Sequence, residues 1–224
     1  MINILKQFLR YIVDLPKTIY FNYHCLPKNQ ARKLPVRISH SVKLGLIDKN
    51  SIIINSDKIE RSMITLGYMG GQFVSANNGY ISIVKGKIIF GGSCNLGEGF
   101  GIEVNGGTLT FGDNFYANRN LQIECRNSIT FGNDDLLGWN VSFRDTDGHF
   151  IIENGRKKSF IGQIEIGDHV WMASDVIILK NSHIKDDCVI ACRSTVCGLK
   201  TEKTNCLIAG TPAEIIKENI EWEE

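Results

Sequence analysis

IEIGDHVWMASDVIILKNSHIKDDCVIACRSTVCGLKTEKTNCLIAGTPA, residues 164–213, repeats one kind of position every six residues: Ile166, Met172, Ile178, Ile184, Ile190 and Val196 are all aliphatic. Four residues after each come Val170, Val176, Ser182, Cys188 and Ser194, small or slim until Lys200 leaves the pattern. One hexad is skipped after Val196, and the phase returns at Ile208. A period of six fits neither an α-helix, at about 3.6, nor an amphipathic strand, at about 2. It is the pattern of a hexapeptide β-solenoid, with each hexad giving one short strand and one corner. Three hexads per turn make a triangular prism. The aliphatic residues point inward and stack on their equivalents in neighbouring turns, because no single turn can bury its own apolar face.

Working back from this stretch, IIFGGS, LTFGDN, ITFGND and IEIGDH place Phe90, Phe111, Phe131 and Ile166 in equivalent positions, each followed by glycine. The first two spacings, 21 and 20, are three hexads with an enlarged corner; the third is 35. An excursion of about fifteen residues therefore leaves the prism within SFRDTDGHFIIENGRKKSFIG, residues 142–162. It contains His149, the histidine nominated for chemistry, while His169 and His183 fall at outward hexad positions. Residues 35–87 read as early, irregular coils. GGSCNLGEGFG, residues 91–101, looks like a phosphate loop, but its glycines fall at solenoid corners and no helix follows.

The opening segment, MINILKQFLRYIVDLPKTIYFNY, reads as an amphipathic helix to about Asp14, ended by Pro16. Lys6, Arg10 and Asp14 interrupt its apolar runs, so it cannot span a bilayer. Residues 1–50 hold nine Lys or Arg against Asp14 and Asp48, so a net charge of +1 conceals a basic beginning and an acidic end. Two roles for this segment stand open: a cap on the solenoid's end, or a peripheral contact of residues 1–30 with an anionic membrane. No nucleic-acid partner is expected. Seven cysteines, with no CxxC pair and no signal peptide, fit a reducing, cytoplasmic setting. The cluster Cys188, Cys192, Cys197 and Cys206 lacks zinc-module spacing, and no metal is expected.

The segments FGNDDLLGWNVSFRDTDGH, IEIGDHVWMASDVIILKNSHI and LIAGTPAEII, and more weakly TIYFNYHCLPKNQARKLPV, carry a resemblance. The chain resembles the left-handed parallel β-helix, hexapeptide-repeat acyltransferases, in the branch of maltose, galactoside and surface-polysaccharide O-acetyltransferases. The resemblance implies an all-β, three-sided solenoid over residues 35–213, with a catalytic loop at about 143–163. A helical, basic segment would fill residues 1–34, and a short helix or tail residues 214–224. It also implies acetyl-coenzyme A as co-substrate, a sugar or polysaccharide precursor as acceptor, a homotrimer with the site between neighbouring prisms, and work in the cytoplasm or at the inner membrane face.

Residue by residue, the resemblance implies that His149 is the general base, with Asp145 or Asp147 orienting its ring. Turn formation beside Gly148 accounts for either aspartate equally well. Asn118, Asn120, Trp139 and Asn140 match the acceptor side. Trp171 and Ser174 match positions beside the acyl and pantetheine end of the donor. Ala191, Cys192, Arg193 and Ser194 match the segment along which pantetheine lies, and Gly210 and Pro212 the nucleotide end. Two departures stand out. The family's GAGS is Ala191-Cys192-Arg193-Ser194 here, and Glu214 replaces the usual base after Pro-Ala. Arg193, Lys200, Lys203 or Lys217 could meet the nucleotide's 3′-phosphate instead. Competing readings are an N-acyltransferase for an amino sugar and a non-catalytic solenoid. A carbonic anhydrase-like metal version would need His149, His169 and His183 to converge, against their hexad phases.

Overall fold

The computed structural model describes residues 2–68 and 78–223, with side chains from Leu9 onward within that range. After two helical segments, α1 (Ile2–Cys25) and α2 (Lys28–Ala31), the chain winds into stacked three-sided coils with faces A, B and C. The first coil places β1 (Val36–Ile38), β2 (Lys43–Ile47) and β3 (Ile52–Ile54) on the three faces in turn. The second repeats this with β4 (Ile64–Leu66), β5 (Tyr80–Val84) and β6 (Lys87–Phe90), and the third with β7 (Cys94–Leu96), β8 (Gly101–Asn105) and β9 (Thr108–Phe111). In the fourth, β10 (Phe115–Ala117) and β11 (Ser128–Thr130) flank Gln122, which bridges Gly101 and Ser142 on face B.

The fifth coil is β12 (Leu136–Leu137) and β13 (Ser142–Arg144), then the excursion with its small hairpin β14 (Ile152–Glu153) and β15 (Arg156–Lys157), then β16 (Gln163–Ile166). The sixth is β17 (Trp171–Met172), β18 (Ile177–Leu179) and β19 (Ser182–Ile184). β20 (Val189–Ile190) and β21 (Thr195–Val196) begin the seventh, and the antiparallel pair β22 (Leu207–Gly210) and β23 (Ala213–Lys217) ends the array. All pairs within the faces are parallel apart from that last one. The described residues of 35–87 are thus early coils of the solenoid, with the expected irregularity seen as a register shift between β2 and β5 at Leu44–Ile47.

The hexad pattern is the interior. Met172, Ile178, Ile190, Val196 and Ile208 are fully buried, and Val170, Val176, Cys188 and Ser194 line the inner corners. Lower down, Phe90, Phe111 and Phe131 form an aromatic stack, with centroid spacings of 5.3 and 5.4 Å and near-parallel planes. Ile166 continues that column, as the equivalence of the four glycine-bearing segments requires.

Both ends differ from the sequence expectation. α1 does not stop at Pro16; it runs on to Cys25. Proline removes one intrahelical hydrogen bond, but the inner face of α1 is anchored to the first coil and holds the helix together. Asn22 Nδ2 donates to Val36 O and its Oδ1 accepts Val36 N–H (2.6 and 3.1 Å); Thr18 Oγ1 accepts Ile38 N–H (3.2 Å). Gln30 clasps Ile54 in the same two-bond way (2.8 and 3.1 Å), and His24 Nε2 lies 2.8 Å from Ile47 O. On each face, at least one open backbone group of the edge strand is therefore met by a side chain of the helical segment, where an exposed edge would otherwise offer it to another chain.

At the far end, the expected C-terminal helix is strand β23. It covers the open edge of β22 across a turn in which Gly210 has φ 108° and the Thr211–Pro212 bond is cis. A side chain at Gly210 would be strained at that φ.

Candidate active site

The edge between faces A and B gathers most of the residues predicted for substrates. Immediately after the last inward residue of face A, consecutive coils present Gly138, Ala173, Ala191 and Ala209. They are joined by a ladder: Gly138 N–H to Met172 O (2.8 Å), Ala173 N–H to Ile190 O (2.9 Å) and Ala191 N–H to Ile208 O (2.9 Å). Small side chains leave the ladder as a slim strip of partly exposed backbone. Gly138 is required by close approach, because a Cβ there would sit 2.9 Å from the backbone of Ala173 and Ser174. Gly138, Ala173 and Ala209 escaped the sequence reading. Their signal was present as a small residue directly after an interior one, recurring in step with the coils.

Next to the ladder runs a corner of left-handed residues, Asn120, Asn140, Asp175 and Arg193, with φ between 58° and 62°. Asn and Asp tolerate this conformation, which the corner needs. Asn120 Nδ2 donates to Asn140 Oδ1 (2.9 Å), and Asn140 Nδ2 to Asp175 Oδ1 (2.8 Å). Asn118 accepts the Arg119 N–H (3.0 Å), and Ser174 Oγ accepts the Trp139 N–H (3.3 Å). Ser194 Oγ accepts the Gly210 N–H (3.2 Å), and Thr211 Oγ1 donates to Arg193 O (3.4 Å). The predicted acceptor and donor residues are therefore one continuous edge. Cys192, Arg193 and Pro212 are exposed along it, and Trp171, 38% exposed, stands beside Ala173 on face A.

Asn120 and Asn140 also line a polar groove of about 550 Å³ with Lys43, Gln122 and Ser142. Arg144 reaches toward the same groove by donating to Gln122 Oε1 (3.2 Å). Of the four cations offered for the 3′-phosphate, Arg193 is the one on the A–B edge. Lys203 is paired with Glu218 (2.7 Å), Lys200 lines a cavity on the far side of face B, and Lys217 lies at the outer end of face A.

The excursion leaves from the other edge of face B, between faces B and C. It is a braced arm: Gly162 N–H donates to Asp145 O and Asp147 N–H to Phe160 O (2.9 and 2.8 Å), and Phe150 meets Phe160 edge to face at 4.6 Å. His149 is exposed on this arm. The two aspartates proposed to orient it are engaged elsewhere. Asp145 is fully buried, and its two carboxylate oxygens accept the N–H groups of Cys125 (2.8 Å) and Asn127 (2.9 Å) of the preceding coil. Asp147 pairs with Lys180 at 3.2 Å. Both brace the arm's root. His169 and His183 lie apart from it, His169 stacked on Trp222 at 4.0 Å and His183 paired with Glu165 at 2.7 Å, so the three histidines do not converge.

Comparison with known proteins supplies the family. No family model matches the chain. The chain is 31% identical over 189 residues to the polysialic acid O-acetyltransferase of Neisseria meningitidis, covering 83% of this chain and 81% of that one. It is 36% identical over 116 residues to the galactoside O-acetyltransferase of Escherichia coli K12; that match spans 50% of this chain and 55% of the relative's own length. Among solved structures, the polySia-specific acetyltransferase NeuO superposes with a TM-score of 0.58 at 21% identity, over 84% of each chain, and shares the fold, a left-handed parallel β-helix. The chain belongs to the hexapeptide-repeat O-acetyltransferases.

Proposed function

We propose that the protein transfers an acetyl group from acetyl-coenzyme A to a hydroxyl of a sugar in a surface polysaccharide or its precursor. The observation that carries the reading is the A–B edge: a slim strip of small residues, Gly138, Ala173, Ala191 and Ala209, runs beside a polar groove containing Asn120 and Asn140, and we infer that the strip floors a channel. The channel suits an extended pantetheine chain, and the groove's amides, hydroxyl and cation suit a polyhydroxylated acceptor. His149 takes the acceptor's hydroxyl proton as that oxygen attacks the thioester carbonyl. The carbon–sulfur bond then breaks, and the proton passes to the departing thiolate. A backbone amide of the channel or an amide side chain holds the developing oxyanion.

The groove and His149 lie on opposite edges of face B, so the site is completed between two copies of the chain. We infer a closed homotrimer, in which the arm of one copy reaches the A–B edge of the next. The arm's tip supports this, since Phe150, Ile151 and Ile152 are 55, 59 and 65% exposed on a braced hairpin. No helix among the described residues is long and apolar enough to cross a membrane. The donor's chemistry places the reaction in the cytoplasm, at the inner membrane face if residues 1–30 dock there.

The test is thiol release from acetyl-coenzyme A over a panel of neutral, acidic and amino sugars, followed by mild alkali on the product. An alkali-labile ester supports the reading; an alkali-stable amide assigns N-acylation instead. Absence of release with every acceptor contradicts it.

A further inference from the structure

α1 has two faces with different tasks. Its inner face carries Asp14, Thr18, Phe21, Asn22 and Cys25, all buried against the first coil. Its outer face carries Leu9, Ile12, Val13, Ile19, Tyr20 and Tyr23, each between 42 and 57% exposed. At about 100° per residue these six positions fall within an arc of about 120°, with Pro16 in the middle of it. This is a continuous apolar stripe on the end of the solenoid, not a scatter of surface hydrophobics.

The exposed charge just past the stripe's C-terminal end is basic. Lys28, Arg32 and Lys33 are exposed just past the helix's C-terminal end, where Tyr20 and Tyr23 also stand. Asp14 is 1% exposed, with Tyr68 Oη donating to it at 2.6 Å and the His40 ring Nδ1 at 2.8 Å, so it contributes no surface anion. Asp48 is an exposed anion whose carboxylate accepts the Lys85 N–H (2.7 Å), Lys58 and Glu60 pair with each other, and Arg10 pairs with Glu98 (3.7 Å). An apolar stripe with tyrosines and lysines at its border matches the chemistry of an anionic bilayer surface. A second copy of the chain fits less well, because a symmetric contact of stripe on stripe would bring the two basic borders together.

We infer that α1 is a membrane-docking surface: Leu9, Ile12, Val13, Ile19, Tyr20 and Tyr23 enter the interface of an anionic bilayer, and Lys28, Arg32 and Lys33 pair with its headgroups. This deepens the reading that residues 1–30 meet a membrane, and it needs no catalysis. The docked helix holds the prism's end against the bilayer, which favours an acceptor carried on a lipid.

The test is co-sedimentation of the full chain with phosphatidylcholine vesicles, with and without about a third phosphatidylglycerol, alongside Ile12→Ser/Val13→Ser and Arg32→Gln/Lys33→Gln. These side chains face outward, so thermal unfolding should be unchanged. The intact chain should pellet with the anionic vesicles and not with neutral ones. The serine pair should weaken partitioning about tenfold or more. The glutamine pair should weaken it about fivefold per charge removed. Thiol release with a soluble acceptor should be unaltered in both variants, which separates failure of docking from failure of the transferase reading. Equal binding to neutral vesicles, or none to either, overturns the inference. So does a serine pair that leaves vesicle binding intact while lowering the oligomeric state in sedimentation velocity, because the stripe's occupant is then another copy.

Discussion

Asp135, at the corner between faces C and A, is 1% exposed; its Oδ1 accepts the Val170 N–H at 2.8 Å, and its Oδ2 is buried without a partner among the described residues. Burial pushes this carboxyl up to about 8, against the Val170 hydrogen bond, with the charge of Asp168 adding to the rise. In the unfolded chain it titrates near about 4. Between those values the folded state keeps a proton that the unfolded state has lost, so this residue's contribution to stability falls as pH rises, by at most about 1.4 kcal/mol per unit. Asp135→Asn keeps the acceptor for Val170 and removes the titration. Its melting temperature should therefore decline less than the wild type's between pH 5 and 8, and parallel declines would contradict this account. Asp145 shows how far a sequence reveals such roles. Its place near His149 suggested a triad partner, but its oxygens are committed to Cys125 and Asn127 across a coil, a pairing twenty residues away that only the stacking defines.

At the level of elements, the interior strands were legible because a single rule, inward aliphatic residues every six positions, is imposed by the prism itself. The ends were not, because their conformation is decided by what they cover. α1 persists through Pro16 since its inner side chains bind the edge strands. β23 is extended because β22 needs a partner, whatever its own propensity. The small-residue strip on the A–B edge was half legible: Ala191 matches the family's donor segment, whereas the recurrence that joins Gly138, Ala173 and Ala209 to it shows only once coils are aligned. The capping claim has a direct consequence. Asn22→Ala leaves both backbone groups of Val36 unpaired and buried, which should cost about 2–4 kcal/mol. Calorimetry should show a melting temperature lowered by roughly 5–10 °C. A shift under about one degree would mean the edge strand is satisfied without the helix.

For the whole molecule, the decisive feature is that face B separates the arm bearing His149 from the A–B edge proposed to hold the substrates. If the site is shared, a chain with His149→Ala and a chain whose channel is filled by Ala191→Trp should each be inactive alone. Refolded together in equal amounts, they should recover about a quarter of the wild-type sites, since each site draws one element from each neighbour. No recovery would place the whole site within one chain. The account rests most heavily on His149 as the base, and the rate of ester formation tests it. At saturating acetyl-coenzyme A and an acceptor the wild type uses, His149→Ala should be slower by at least about 100-fold while still binding coenzyme A and unfolding at the wild-type temperature. A His149→Ala enzyme that forms ester at the full wild-type rate would contradict the mechanism.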